Sequence, residues 1–348
     1  MVIFEATRIM ALAAIAFLVA LAVTPAWFNF IKKHHVRKQI RESDKAPIFH
    51  KFHEKKSGTP TAGGVIIWGT VLGLALLFSL LSKIFGGIFQ QFNFINRAET
   101  YLPLAALFLA AILGLIDDWL GVLRIGGASG GGLKIRHKLL LYALLAGVGA
   151  WWFYFRLGWD VLYVPFVGSI AIGAWYIPLF IFIIVASAFS ANETDGLDGL
   201  LGGVSLFAFA ALTTVAFVLN RYDLAAFGSV TIGALLAFLW FNIYPAKFFM
   251  GDTGSMSLGI TIGVISMLTN TTLFLPLFAF VLVIESLSVI IQLTSKKFFG
   301  RKVFLSTPIH HHFEALGWHE SQVTMRFWII SVISSMLGLS LFFLARFF

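Results

Sequence analysis

Residues 174–191 read Ala-Trp-Tyr-Ile-Pro-Leu-Phe-Ile-Phe-Ile-Ile-Val-Ala-Ser-Ala-Phe-Ser-Ala, and residues 200–219 read Leu-Leu-Gly-Gly-Val-Ser-Leu-Phe-Ala-Phe-Ala-Ala-Leu-Thr-Thr-Val-Ala-Phe-Val-Leu. Between them lies Asn192-Glu-Thr-Asp-Gly-Leu-Asp-Gly199. Two uncharged runs, each long enough to cross about 30 Å of hydrocarbon as a helix, flank a short turn that holds Glu193, Asp195 and Asp198 but no Lys or Arg. Its glycines at 196 and 199 let the backbone turn tightly and come close to a ligand. An acid-rich turn joining two membrane-length helices decides the fold class, and the rest of the chain repeats the pattern.

Of 348 residues, 59% are hydrophobic and 12% charged, and the mean hydropathy is +0.91. Soluble domains carry roughly 25% charge. Apolar stretches recur at about 9–30, 62–85, 102–120, 138–156, 174–191, 200–219, 225–241, 255–271, 273–294 and 323–345. The expected fold is an all-α polytopic membrane protein of ten spans, one integral membrane domain over residues 1–348. The first stretch is too long for a signal-peptide core, has no convincing cleavage site and reads as a retained helix. There is no cysteine, so disulfide and thiolate chemistry are excluded. A net charge of +9 fits basic loops on one membrane face, with no nucleic acid implied.

Lys32, Lys33, Arg37, Lys38, Arg41, Lys45, Lys51, Lys55 and Lys56 crowd the first connection. The positive-inside bias puts that loop in the cytoplasm and, by alternation, both termini on the outer face. The loops near 45–64, 117–138, 192–199, 242–254 and 295–322 then share the cytoplasmic face, and the candidate active site is built from them. On the outer face, residues 160–173 are β-branched and aromatic around Pro165 and Gly168, and a small hairpin is expected there.

Five clusters on the inner face carry chemistry. Asp117 and Asp118 end an apolar run; acids abutting hydrocarbon are functional candidates, although one solvated carboxylate at a helix end has the same appearance. In 192–199, Asp195 and Asp198 share a face if a helix starts there, and an N-cap role explains only one of them. Asp252 sits in a Gly-Asp-Thr-Gly turn expected to open a helix at about 255, where backbone N–H groups meet an anion and the carboxylate is available to a divalent ion. Lys55, Lys56 and the Gly-Thr-Pro-Thr run at 58–61 read either as a topological anchor or as a phosphate cradle. His310, His311 and His312 fall in an amphipathic inner-face segment with Phe304, Leu305, Phe313 and Trp318. Consecutive imidazoles diverge too far to hold one zinc ion, so donation to phosphate is the better reading. Acids with a basic rim at a membrane face suit magnesium-dependent phosphoryl transfer with a lipid as one substrate.

Lys56-x-Gly-Thr-Pro-Thr, Asp117-Asp118, Asn192-x-Thr-Asp-Gly-Leu-Asp-Gly, Phe249-Met-Gly-Asp-Thr-Gly-Ser and Pro308-Ile-His-His-His-Phe-Glu together resemble the phospho-N-acetylmuramoyl-pentapeptide transferases, within the wider polyprenyl-phosphate N-acetylhexosamine-1-phosphate transferase superfamily. The resemblance runs along nearly the whole chain. It implies a homodimer of ten-helix subunits in the bacterial cytoplasmic (inner) membrane, with a broken and bent ninth helix. It implies that UDP-N-acetylmuramoyl-pentapeptide and undecaprenyl phosphate react, with Mg2+, to lipid I and UMP. By the same matching, Asp252 is the magnesium ligand, and Asp117, Asp118, Asp252 and His311 are catalytic. Lys56, Thr61, Asn192, Asp195, Asp198, Asn242, Gln292 and His312 match positions that line the nucleoside-diphosphate site. Those relatives usually carry Lys three residues after the second Asp of the pair; this chain has Gly121, and Arg124 is the nearest substitute for that charge. Gly126–Gly132 is expected to be a mobile loop. Two rivals stay open, a transferase of GlcNAc-1-phosphate to the same lipid and an ion-coupled transporter. Against the second, only Glu285 falls mid-span, whereas transporter sites lie near the midplane.

Overall fold

The computed structural model describes residues 2–37, 56, 58–97, 99–126 and 131–347. Five basic residues of the first loop (Lys38, Arg41, Lys45, Lys51 and Lys55) and residues 127–130 of the glycine-rich loop lie outside the described residues.

The apolar runs form helices because a backbone in hydrocarbon must satisfy its own hydrogen bonds. In chain order they are α1 (Val2–Lys33), α2 (Val65–Ile84), the short α3 (Ile88–Phe92), α4 (Tyr101–Val122), α5 (Ile135–Trp151, ending in a π turn, Trp152–Arg156), α6 (Tyr176–Thr194), α7 (Leu200–Val218), α8 (Tyr222–Asn242), α9 (Asp252–Leu268), α10 (Leu275–Phe278), α11 (Phe280–Phe299), α12 (Ile309–Ala315) and α13 (Glu320–Phe347). Among the described residues, eight helices are long and apolar enough to cross a membrane, and nine if the bent pair Thr272–Phe278 and Phe280–Phe299 counts as one span. The run expected as a tenth is α9, which at 17 residues is about 25 Å long.

α9 is the centre of the bundle. Every residue from Thr253 to Leu268 is buried, and α4 and α6 pack along it. Small residues permit this approach. A Cβ on Gly259 would meet the Ser187 carbonyl at 2.6 Å, and one on Gly114 of α4 would meet the Thr253 Cα at 2.6 Å. Because α4 carries the Asp117–Asp118 pair and α6 carries Asn192 in its last turn, this packing brings both to the start of α9.

The 89° bend between the two halves of the broken span falls at Ala279. A break that sharp frees carbonyls, and α13 satisfies them: Ser334 Oγ donates to the Leu277 carbonyl at 2.6 Å and Ser335 Oγ to that of Phe278 at 3.1 Å. This is how irregular backbone is tolerated at membrane depth.

At the end of the bundle away from the acid clusters, Val161–Val164 (β1) and Gly168–Ala171 (β2) pair antiparallel, with Val161 opposite Ala171 and Val164 opposite Gly168. Asn270 ties this hairpin to the end of α9, accepting from Tyr163 N at 3.0 Å and donating to the Val161 carbonyl at 3.2 Å. Near the start of α1, Arg8 joins Glu5 at 3.0 Å and Asp223 of α8 at 2.7 Å.

Candidate active site

Three structural units converge at the opposite end. The first is an acid centre. Asp117 near the end of α4 and Asp252 at the start of α9 both reach the ammonium of Lys138, at 2.6 and 2.9 Å. Asn192 Nδ2 donates to Asp252 Oδ1 and, at 3.1 Å, to Ser255 Oγ. The other Asp117 oxygen accepts the Leu133 N–H at 2.5 Å. That contact needs Gly132, whose φ of +86° is a glycine conformation and whose Cβ would lie 3.1 Å from the Asp117 carboxylate. Asp118 faces elsewhere: it accepts the Asp252 N–H at 3.0 Å and the Thr253 N–H at 3.1 Å. The helix therefore begins at Asp252 and not near 255, because the Asp118 carboxylate satisfies its first orphan amides. The Thr61 side chain lies beside this turn, its hydroxyl 2.9 Å from where a Gly251 Cβ would stand.

The second unit is a cleft of about 510 Å³ whose lining includes Lys56, Asp198, Tyr244, Phe249, Glu314 and Glu320. Lys56 pairs with Asp198 at 2.7 Å and with Glu320 at the start of α13. Glu320 also accepts the Asp198 N–H at 2.6 Å, and Asp198 accepts the Ala246 N–H at 2.9 Å. Asn242 bridges the two walls, accepting from Gly199 N at 3.0 Å and donating to the Phe248 carbonyl at 2.8 Å. Asp198 and Asn242 thus shape the cleft through backbone contacts. Asp195, half-buried, is the residue that ends α6.

The third unit is α12. Its consecutive histidines face three ways, as helical geometry requires. His310 is fully buried with Nδ1 2.9 Å from Glu285 of α11, and His311 Nδ1 lies 2.6 Å from Glu314. His312 Nδ1 accepts the Leu305 N–H at 3.2 Å. Burial pulls the His310 pKa down, but the carboxylate of Glu285 outweighs it and holds the imidazole above its ordinary value. Gln292 is taken up by the 303–304 backbone, accepting from Val303 N and Phe304 N and donating to the Phe304 carbonyl at 2.9–3.0 Å.

The sequence-derived candidates therefore fall into one acid centre, one cleft and one histidine helix, which share walls. The turn 192–199 joins the first to the second, and Glu314 joins the second to the third. Asn242 and Gln292 shape backbone in this arrangement. Two site residues, Lys138 and Glu320, are not marked by the sequence, because the partners of each are distant along the chain. Arg124 is exposed; the cation that Asp117 and Asp252 share is Lys138.

Two carboxylates converging on one cation are a donor set that suits magnesium, which uses one or two protein carboxylates and completes its shell with water and substrate phosphates. Among the described residues, no group of three or more His, Cys, Asp or Glu is arranged to hold a metal by itself. Asp252 and Asp117 fit the ion; a closed all-protein cage does not.

A helical membrane bundle with an acid-and-cation centre beside a cleft that holds Lys56 among carboxylates and aromatic rings defines a class of membrane-embedded transferase. The model of "Glycosyl transferase family 4" matches residues 100–270, the segment from α4 to the end of α9. Proteins called phospho-N-acetylmuramoyl-pentapeptide-transferase align over almost the full length. That of Chloroflexus aggregans is 37% identical over 97% of this chain and 90% of its own. Those of Anoxybacillus flavithermus and a Geobacillus species are each 38% identical, over 94% and 95% of this chain and 95% and 97% of their own. The chain belongs to the phospho-N-acetylmuramoyl-pentapeptide-transferase family.

Proposed function

We propose that this protein transfers phospho-N-acetylmuramoyl-pentapeptide from its UDP carrier to undecaprenyl phosphate, giving lipid I and UMP. The reaction takes place on the cytoplasmic face of the bacterial inner membrane, in a homodimer of ten-span subunits in which α9 is the short tenth span and both termini and the hairpin face outward. The observation that carries the reading is the convergence of Asp117, Asp252 and Asn192 around Lys138, beside a cleft that holds Lys56.

An oxygen of the lipid phosphate attacks the sugar-linked phosphorus of the UDP substrate. The new O–P bond forms as the bond to the bridging oxygen breaks, and UMP leaves with that electron pair. Lys56, His311 and His312 neutralise and orient the diphosphate, while Tyr244 and Phe249 offer aromatic faces to the nucleoside. Asn192 and Lys138 fix the Asp252 carboxylate. Asp118 sets the height of the Asp252 turn, and Thr61 lies behind it. Asp195 and Asp198 flank the nucleotide, and Asn242 and Gln292 hold the loops that enclose it. Bound to Asp252 and Asp117, Mg2+ would supply charge neutralisation for the diphosphate.

Asp117 positions and does not serve as a base. Both its oxygens are engaged, one by Leu133 N–H and one by Lys138. A phosphate monoester has its second pKa near ~6 and is mostly dianionic at neutral pH, so little would be gained from proton removal. Positioning and charge neutralisation supply far more in phosphoryl transfer.

The test is transfer by purified protein in vesicles containing undecaprenyl phosphate, with UDP-N-acetylmuramoyl-pentapeptide and UDP-GlcNAc supplied separately. Lipid I from the first and no lipid-linked product from the second is expected. The reverse preference would replace this reading with the GlcNAc-1-phosphate transferase.

A further inference from the structure

We infer that Glu285 is a positioning residue for the nucleotide side of the site: through His310 it holds the 192–199 turn at the height from which Asn192 and Asp198 act. The inference rests on the proposed transfer reaction. Glu285 lies within α11, is fully buried and is not among the residues that line the cleft. A carboxylate in such a place is expensive and calls for an explanation. One of its oxygens meets His310 Nδ1 at 2.9 Å, and the other has no hydrogen-bond partner among the described residues. His310 Nε2 is likewise buried and unpartnered. It abuts Gly196, in the middle of the Asn-x-x-Asp-Gly-x-Asp turn: a Cβ there would overlap the ring, with its Cε1 at 2.7 Å.

The chain of contacts is therefore carboxylate to imidazole to glycine backbone. The neighbouring residue reinforces it. Ser286 accepts from Ser190 Oγ at 2.8 Å, two residues before Asn192, so one turn of α11 supports the acid-bearing turn from both sides. Without the Glu285 bond the imidazole is free to rotate and the turn loses its floor. Packing alone would be served as well by an apolar pair; a buried ionisable pair fixes one ring orientation.

The experiment compares Glu285→Gln, Gly196→Ala and the double variant, all as full-length protein in vesicles, for steady-state kinetics in both substrates and for melting temperature. Each single variant is expected to raise KM for the UDP substrate about tenfold with KM for the lipid unchanged, and the double variant to show less than the product of the two effects. A role in stability alone would lower the melting temperature and the active fraction with both KM values at wild type, and that result overturns the inference. If Glu285→Gln yields no folded protein, Gly196→Ala decides, because its unchanged KM would break the chain at its last contact. Failure of the wild-type protein to form lipid I would instead remove the parent reading, so the two failures are distinguishable.

Discussion

Asp118 holds Asp252 by the backbone: its carboxylate accepts the Asp252 and Thr253 N–H groups at 3.0 and 3.1 Å. Asp117, its neighbour in sequence, faces Lys138 instead. Side chains adjacent on a helix diverge by about 100°. One helix end thus supplies both a cap for the Asp252 turn and a member of the acid centre.

Asp118→Asn keeps the size of the side chain but loses two charge-assisted bonds. It is expected to cost about 1–2 kcal/mol of stability and to lower kcat more than UDP-substrate affinity, because Asp252 shifts. Melting curves, calorimetry and turnover measured together check this. Wild-type values in all three would mean that the cap does not position Asp252.

Lys138 stands where a divalent ion would be shared by Asp117 and Asp252. Removing the ammonium leaves the buried Asp117 beside the half-buried Asp252 as unpaired like charges, at a cost on the order of 3 kcal/mol. Magnesium should therefore raise the melting temperature of Lys138→Met more than that of wild type, since the ion no longer competes with a resident cation. Equal magnesium-dependent shifts in the two proteins would contradict the shared site. Turnover of the variant is expected to fall.

Gly114→Ala tests the α4–α9 contact. The added methyl would press on the backbone of Asp252 and Thr253, and overpacking of this kind costs about 1–3 kcal/mol. The variant should fold but lose most activity, because the Asp252 turn moves away from Asp117. An active variant with unchanged melting would show that the site tolerates a wider spacing.

Helix positions were legible because apolar runs of membrane length have few other solutions. The acids were legible because carboxylates abutting hydrocarbon are costly and call for a functional reason. What composition could not reveal was partnership. Lys138 pairs with Asp117 and Asp252 only because α4 and α5 both reach the start of α9, and nothing local to residues 135–138 marks this. Glu320 was hidden in the same way, as its partners Lys56 and Asp198 lie on other elements. The family resemblance implies that Gln292 and Asn242 line the nucleoside-diphosphate site, and in the structure both bond to loop backbone. A side-chain amide serves either use, and sequence spacing does not distinguish them.

His310 should make stability depend on pH. Its folded pKa is raised above the usual 6.5, and the charged groups facing it are Glu285, Glu314 and Glu193. The stabilisation is full below the unfolded value and is lost as pH rises through the folded one. The melting temperature of wild type should fall across that rise more steeply than that of His310→Asn. Parallel curves would show that His310 stays neutral throughout.

The central claim is a direct displacement in which both substrates are bound together. Purified protein with magnesium and UDP-N-acetylmuramoyl-pentapeptide alone should release no UMP, and addition of undecaprenyl phosphate should release UMP in step with lipid I. Stoichiometric UMP without the lipid, with a labelled phosphosugar retained on the protein, would contradict it.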